Sequence, residues 1–219
     1  MRDMHCHILP GVDDGAANLR ASISMLDAAV DAGVDWVVCT PHVRRPYFDF
    51  SAMNRAYRVF KDAAGRRYPR VRVSLGWEVN HHTLIQLGFE RWAPLLGFEG
   101  TGEFLLELSD LATPSSFDLY ERSIFALQGM GYRVVIAHPE RCRAIQEDAA
   151  LAEDLVRMGC KLQASADFVA GGRLGTSKGP AKRLFKAGLY SYIASDAHTP
   201  EHYRLLSRAI KKYGSKLTP

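Results

Sequence analysis

Histidines and carboxylates occur in this sequence at spacings that suit metal coordination. His5 and His7 flank Cys6 near the start of the chain, and side chains two positions apart on a β-strand share a face. His5 and His7 can therefore bind one ion together while Cys6 points the other way. The same spacing pairs Asp196 with His198. Imidazole and carboxylate ligands without thiolate suit Mn²⁺, Fe²⁺ or Zn²⁺.

The elements that must position these residues alternate along the chain, because short apolar runs predict strands and longer periodic segments predict helices. Strands are predicted at residues 1–7, 34–40, 71–79, 103–108, 133–137, 161–164 and 190–194. Helices are predicted at residues 18–32, 51–64, 83–87, 91–96, 114–130, 149–158, 180–187 and 201–213. This alternation indicates an α/β fold with a parallel sheet. No Pro- or Gly-rich linker divides residues 1–219, so we expect one domain.

Nearly every predicted strand has a His, Asp or Glu at or just after its C-terminal end. These residues are His5, His7, His42, Glu78, Glu107, His138, Asp196 and His198, with Asp13 and Asp14 in the turn after the first strand. Ligands bind at this end of parallel β/α folds. A closed barrel aims all of these groups at one point, whereas an open sheet spreads them along an edge. Their distribution therefore predicts an irregular, TIM-like (β/α)7 barrel.

So many ligand groups exceed the needs of one ion, and we expect at least two ions and favour three. Glu78 is the best candidate for a bridging ligand. Glu78 and Glu107 each end an apolar strand, where a buried charge without a partner is costly. Several ions in one pocket indicate hydrolysis, because bound metals acidify water and hold the oxygens of the substrate.

Arginines near these positions indicate a phosphorylated substrate. Arg141 follows His138 by three residues, and its guanidinium can bind a phosphate through two nitrogens. Arg44 and Arg204 also follow ligand positions and can add positive charge. The segment 44–50, RRPYFDF, is either an ordinary loop held by aromatic packing or a lid that faces the substrate.

Several of these residues also have simpler explanations. Asp13 and Asp14 can be turn residues, Arg141 can belong to an exposed salt bridge, and Arg204 can decorate the last helix. Three further histidines are expected on the surface or in loops, namely His81, His82 and His202.

Composition narrows the class of protein. The chain has 219 residues, of which 47% are hydrophobic and 24% charged, as in ordinary globular proteins. The net charge of +4 comes from scattered Lys and Arg, which permits a phosphorylated substrate and gives little support for nucleic-acid binding. Four widely spaced cysteines indicate a reducing cytoplasm. We see no secretion signal and no membrane span, and the sequence leaves the oligomeric state open.

Cys39 and Arg45 have the C-x5-R spacing of cysteine-dependent tyrosine phosphatases. The intervening residues, TPHVR, contain no glycine, and their proline lacks an amide donor for phosphate. We therefore interpret Cys39 as a core residue.

The ordered segments HCHILPGVDDG, VVCTPH, GWEV, LLEL, VIAHPER and IASDAH resemble the polymerase-and-histidinol-phosphatase superfamily. Within it they are most similar to the bacterial manganese-dependent protein-tyrosine phosphatases of capsule and exopolysaccharide operons. The resemblance runs from about Met4 to about His198. It implies that the substrate is the phosphotyrosine-rich tail of a cognate tyrosine kinase that controls polysaccharide export.

The resemblance also implies roles for particular residues around three Mn²⁺ ions, with Fe or Zn as other metals. The implied ligand sets are His5, His7, Glu78 and Asp196; Glu78, Glu107 and His138; and Asp14, His42 and His198. Arg141 resembles the phosphate-binding arginine of the family. Arg204 is the candidate for a second arginine after the last histidine, although its loop reads TPEHYR, where the family is richer in Arg and Pro.

Other functions remain open at this point. A small-molecule phosphatase of the histidinol-phosphate type would share the metal site, and an amidohydrolase would share the HxH motif. A binding module that retains metal only for stability is a third alternative. The chain also stops soon after the last predicted helix, where relatives typically continue, so any oligomer contact made there stays open.

Overall fold

The computed structural model describes residues 1–173 and 175–218. The strands are β1 (Arg2–Cys6), β2 (Trp36–Cys39), β3 (His42–Val43), β4 (Arg72–Leu75), β5 (Glu78–Asn80), β6 (Glu103–Glu107), β7 (Arg133–Ala137), β8 (Lys161–Ser165) and β9 (Tyr190–Ala194). The α-helices are α1 (Leu19–Asp31), α2 (Phe50–Arg67), α3 (His81–Leu87), α4 (Phe89–Trp92), α5 (Phe117–Gly129), α6 (Arg143–Glu147), α7 (Ala150–Arg157), α8 (Lys178–Lys186) and α9 (Glu201–Tyr213). Short 3-10 turns include Pro139–Arg141 and Ala166–Ala170.

The strands pair in parallel, in two sheets with the orders β1-β2-β4 and β3-β5-β6-β7-β8-β9. Backbone hydrogen bonds join the two sheets at their break. The amide of Gly76 donates to the carbonyl of Cys39 at 2.8 Å, and that of Glu78 donates to Pro41 at 3.3 Å. Strand β3 therefore continues the direction of β2, and β5 continues that of β4, with the two sheets hydrogen-bonded to each other between them.

The first and last strands meet at their C-terminal ends. Cys6 forms a parallel bridge with Ala197, and the amide of Asp196 donates to the carbonyl of His5 at 2.8 Å. The amide of His7 in turn donates to Ala197 at 2.8 Å. The first and last strands are thus joined by an isolated bridge and not by a full ladder, so the ring of strands is not closed as a continuous barrel. The predicted α/β class and parallel pairing are confirmed, with nine strands in the described residues where seven were predicted.

Alternation of side chains along the strands divides the buried apolar residues into two clusters. Leu105 and Val135 belong to a small cluster that also includes Met4, Val38 and Ala194. Their neighbours in sequence belong instead to a much larger cluster shared with the helices. Since successive strand residues face opposite sides, the small cluster fills the interior of the ring and the large one lies between strands and helices.

Element bounds from the sequence match best where the apolar pattern is uninterrupted. Arg133–Ala137, Tyr190–Ala194 and Glu201–Tyr213 have the predicted limits. The strand predicted at residues 71–79 is instead broken at Gly76, where an added Cβ would lie 2.5 Å from the ring of Phe98. Helix α6 was not predicted. No helix in the described part of the chain is long and apolar enough to cross a bilayer.

Candidate metal centre

All nine predicted metal ligands lie together at the C-terminal ends of the strands. Four groups of side chains each bring ligand atoms within 4.8 Å of one another. The groups are His7, Asp14, His42 and His198; His5, His7 and Asp196; His5, Glu78 and His138; and His42, Glu78 and Glu107. Because His5, His7, His42 and Glu78 each belong to two groups, the four groups form one continuous cluster.

The contacts around His5 and His7 have the spacing expected of ligands around one ion. The Nε2 atoms of His5 and His7 are 3.3 Å apart, and they lie 3.4 and 3.3 Å from Asp196 Oδ1. Each also lies 3.4 Å from a carboxylate oxygen of Glu78. Two ligands at about 2.1 Å from a tetrahedral ion are about 3.4 Å apart. These distances therefore fit a shared cation better than strong hydrogen bonds, which are shorter.

Among the residues that the structure describes, several buried ligand atoms of the cluster make no hydrogen bond of acceptable geometry, although some lie close together, as His42 Nδ1 does to Glu78 Oε2 at 2.5 Å. The atoms without such a bond are Asp14 Oδ1, His42 Nδ1 and Nε2, Glu78 Oε2, Asp196 Oδ1 and His198 Nε2. A buried polar atom left unsatisfied costs about 1–3 kcal/mol, and more when it is charged. Bound divalent cations would satisfy these atoms, so the residues present fit a multinuclear metal centre.

Glu78 lies at the middle of the cluster and is only 1% exposed. Burial alone would raise the pKa of its carboxyl, but the charges of His42 and His5 hold that pKa well below its usual value. The pKa of Glu107 is instead raised, by burial and by the nearby charge of Glu78. Two carboxylates so close together need positive charge, which divalent ions can supply.

Side chains behind the cluster orient the first two histidines. His7 Nδ1 donates to Asp13 Oδ2 at 2.9 Å, and His5 Nδ1 pairs with Gln163 Oε1 at the same distance. Such contacts leave each Nε2 atom free to bind metal. The amide of Gly15 donates to the other oxygen of Asp13 at 3.0 Å. An added Cβ at Gly15 would lie 2.0 Å from the His7 carbonyl, so this turn requires glycine.

The structure gives the two aspartates of the VDDG turn different positions. Asp13 contacts His7 from behind, whereas Asp14 Oδ1 lies 3.1 Å from His42 Nε2 and 3.4 Å from His198 Nε2. Asp14 is therefore the member of the pair that faces the cluster. The sequence alone had left both residues between turn and ligand roles.

Two of the predicted ligands have backbone conformations that are rare for residues other than glycine. His138 has φ of 29° and Asp196 has φ of 47°. Such conformations cost on the order of 1–3 kcal/mol and concentrate at functional sites. The conformation of Asp196 is stabilised through the preceding residue. The amide and hydroxyl of Ser195 donate to the buried carboxylate of Asp3 at 2.8 and 2.6 Å.

Arg141 borders the cluster and is held firmly. Its Nη2 donates to Asp196 Oδ2 at 2.5 Å, to Asp167 Oδ2 at 3.1 Å and to Ser165 Oγ at 3.1 Å. Its side chain is 13% exposed, so this is a largely buried ion pair and not an exposed one. The Nε atom of Arg141 is buried without a partner, which leaves a hydrogen-bond donor beside the cluster.

Comparison with known proteins identifies the family. The family model of capsular polysaccharide synthesis proteins, CpsB/CapC, matches residues 1–216. This chain belongs to the CpsB/CapC family. Tyrosine-protein phosphatase YwqE of Bacillus subtilis is 33% identical, over 99% of this chain and 87% of the relative. Tyrosine-protein phosphatase CpsB of Streptococcus agalactiae is 24% identical, over 97% of this chain and 92% of the relative.

A solved structure agrees with this assignment. It is one of the crystal structures of YwqE from Bacillus subtilis and CpsB from Streptococcus pneumoniae, which are described as metal-dependent tyrosine phosphatases. It superposes with a TM-score of 0.82 at 31% identity, covering 97% of this chain and 87% of the other. The CpsB/CapC fold of this chain is therefore the fold of a metal-dependent phosphatase.

One predicted site residue of this CpsB/CapC protein lies away from the cluster. Arg204 is exposed on α9 and lines a separate groove of about 200 Å³ with Asp31 and Glu201. The structure does not bring Arg204 to the metal ligands. Position on the helix explains this, because Arg204 follows the buried Tyr203 and points away from the face that packs on the barrel.

Two histidines expected on the surface or in loops are placed differently. His81 is only 3% exposed, with its Nε2 atom 2.9 Å from Ser123 Oγ. His202 is half-buried, and its Nδ1 atom accepts a hydrogen bond from the amide of His198 at 3.1 Å. The surface prediction for His81 is therefore wrong. His202 is a neighbour of the site, and the signal for it was its i+4 spacing from His198.

The loop at residues 44–50 has the aromatic packing of one of its two predicted roles, and its role as a lid stays a prediction. Phe48 and Phe50 pack edge-on against Trp92, with ring centroids 5.1 and 5.5 Å away, which anchors the end of the loop by aromatic packing. Arg44 at its start reaches the cluster, with Nη2 3.2 Å from Asp14 Oδ2. The loop therefore places the positively charged guanidinium of Arg44 at the edge of the metal-ligand cluster.

Proposed function

We propose that this chain is a metal-dependent protein-tyrosine phosphatase. Its substrate would be phosphotyrosine on a cognate bacterial tyrosine kinase that controls capsule or exopolysaccharide synthesis. The observation that carries the proposal is the convergence of nine His, Asp and Glu side chains, several with unsatisfied buried atoms, beside Arg141. Relatives named as tyrosine-protein phosphatases support the choice of substrate.

For the metal we propose Mn²⁺, in three ions, with Fe and Zn as alternatives. The proposed sets are His5, His7, Glu78 and Asp196; Glu78, Glu107 and His138; and Asp14, His42 and His198. The contacts described above support the first and third sets. In the second, Glu107 groups with His42 and His138 groups with His5, each through Glu78. That arrangement supports Glu78 as the bridging ligand.

Divalent ions at such a site activate water and stabilise charge on phosphoryl oxygens. The task that we propose for Arg141 is to bind and orient the phosphate. Its partners Asp196 and Asp167 fix the guanidinium before substrate arrives, and preorganised charge of this kind favours the transition state. Because the leaving phenolate has a pKa near about 10, a strong general acid is not essential.

The cavity beside Arg141 suits an aromatic phosphate. It has a volume of about 410 Å³, and Ala170 and Leu205 line it together with Arg141 and His198. Apolar side chains next to a guanidinium can contact the ring of phosphotyrosine while its phosphate reaches the cluster. We propose that residues 1–219 act as one catalytic domain in the cytoplasm. Four buried cysteines without disulfides support a reducing compartment.

The proposed function is tested by comparing substrates with and without metal. Purified protein should hydrolyse a peptide from the phosphotyrosine tail of the kinase with a higher kcat/KM than histidinol phosphate or other small monoesters. A chelator should abolish turnover, Mn²⁺ should restore it, and a thiol alkylator should leave it unchanged. Activity that survives the chelator, or a clear preference for histidinol phosphate, would contradict the proposal.

A further inference from the structure

Two cavities lie over the candidate metal centre, and they share part of their lining. The larger, of about 410 Å³, extends past Asp196, and the smaller, of about 160 Å³, extends past Glu107. Arg141, Arg173 and His198 line both. Arg173 therefore lies where the two cavities meet.

The arginines around these cavities differ in how firmly the protein holds them. Arg141 donates to three side chains, and Arg44 lies 3.2 Å from Asp14 with a side chain that is 27% exposed. Arg173 is 59% exposed, and its guanidinium lies 3.6 Å from Asp14 Oδ2, which is beyond hydrogen-bond distance. Arg173 is thus near the cluster without being committed to a strong ion pair.

The loop that carries Arg173 is fixed at its base. The amide of Gly172 donates to the carbonyl of Asp167 at 3.0 Å, and the amide of Ser177 donates to Gly171 at 2.9 Å. Gly172 has φ of 77°, and an added Cβ there would lie 2.5 Å from Ser177 Oγ. Asp167 also accepts a hydrogen bond from Arg141. The turn that carries Arg173 is therefore hydrogen-bonded to a residue that also binds Arg141.

We propose that Arg173 binds the phosphate of the substrate together with Arg141, in the role that the sequence had assigned to Arg204. This inference rests on the proposed phosphatase function. A phosphorylated tyrosine carries about −1.5 to −2 charge at neutral pH, and it would draw the Arg173 guanidinium away from its long contact with Asp14. Arg204 lines a different groove and neither of the two cavities that Arg141 lines.

The proposal is tested with Arg173→Ala, Arg173→Lys and the matched control Arg204→Ala. Titration calorimetry would measure binding of inorganic phosphate to the manganese-loaded proteins, and KM and kcat would be measured on a phosphotyrosine peptide. Loss of a charge-assisted contact by Arg173→Ala should weaken phosphate binding about ten-fold and raise KM by a similar factor. Arg173→Lys should fall between, and Arg204→Ala should match the wild type.

Metal content and melting temperature should be unchanged in all three variants. The proposal is overturned if Arg173→Ala keeps wild-type phosphate affinity, if Arg204→Ala loses it, or if Arg173→Ala loses metal, since the effect would then pass through Asp14. A wild type without phosphotyrosine turnover would instead reject the proposed function. Loss of phosphate binding in Arg173→Ala would still support the assignment of Arg173 in that case.

Discussion

Buried carboxylates at the two ends of the barrel differ in whether hydrogen bonds within the protein satisfy their oxygens. At the N-terminal end, Glu103 is 3% exposed and both of its oxygens have partners in the protein. Arg2 Nη2 lies 2.5 Å from Oε2, and the hydroxyl of Tyr192 donates to Oε1 at 3.1 Å. The Arg2 guanidinium also lies 4.5 Å from the ring of Trp36. The Glu103 carboxylate is therefore satisfied without any added ion.

At the C-terminal end, comparable carboxylates are left incomplete. Glu78 Oε2, Asp14 Oδ1 and Asp196 Oδ1 are buried without hydrogen-bond partners, and two neighbouring residues have strained backbones. Asp196 and Glu78 have charge partners in the protein, but one oxygen of each makes no hydrogen bond, and a bound cation would satisfy it. The comparison indicates that one end supplies stability and the other a place for cations and a charged substrate.

The largest effect should follow from removing a ligand at the C-terminal end. We expect His42→Ala or His138→Ala to lower kcat on a phosphotyrosine peptide by a factor on the order of 10³, because an ion that activates water would be lost or displaced. Circular dichroism should show an intact fold, and metal analysis should show fewer bound ions. Unchanged turnover in both variants would show that the ligands at the C-terminal end are not needed for catalysis, which would contradict the functional difference between the two ends.

A smaller effect is expected behind the ligands. Asp13→Asn should weaken Mn²⁺ binding roughly 10–100-fold, because the carboxylate that orients His7 and raises its basicity would be lost. A competition titration with a metal indicator would measure the affinity. Asp118→Asn, an exposed change in the first turn of α5, is the control and should leave affinity at the wild-type value. Equal affinities for Asp13→Asn and the wild type would show that His7 needs no such support.

The smallest effect on activity is expected at the N-terminal end. Glu103→Gln should lower the free energy of unfolding by about 1–3 kcal/mol and leave kcat and KM within about two-fold. Urea unfolding in chelator would measure the stability, and Arg2→Ala should behave similarly. If either variant lost bound metal or turnover at full folding, the two ends would not be independent.

The pH dependence of this pair has a definite sign. Burial raises the pKa of Glu103, but the hydrogen bond and charge of Arg2 more than reverse that effect, so the pKa is lowered overall. A lowered pKa in the folded state contributes stability above the unfolded value, which is lost as pH falls through the folded value. The stability difference between wild type and Glu103→Gln should therefore shrink in acid.

The sequence by itself predicted the α/β class, the parallel sheet and eight of the nine side chains of the cluster, whereas Asp14 was preferred to Asp13 only from the family resemblance. The predictions from the sequence alone follow from local rules, because an apolar run specifies a buried strand and the residue at its end is carried to one edge of the ring. Tyr190–Ala194 followed by Asp196 and His198 is an example: the strand bounds and the ligand positions were readable from the pattern. The shared strand face expected for Asp196 and His198 is not observed, because the strand ends at Ala194 and Asp196 has φ of 47°.

Only the tertiary structure decided which residues from loops and helix faces reach the site. Arg173 and Arg204 are both exposed arginines, yet one lines the cavities over the cluster and the other an outer groove. The same holds for Asp13 and Asp14, which are adjacent in sequence but contact different histidines, His7 and His42. A loop has no period that fixes its direction, so contacts across the fold, such as those of Gly172 and Gly15, must set it.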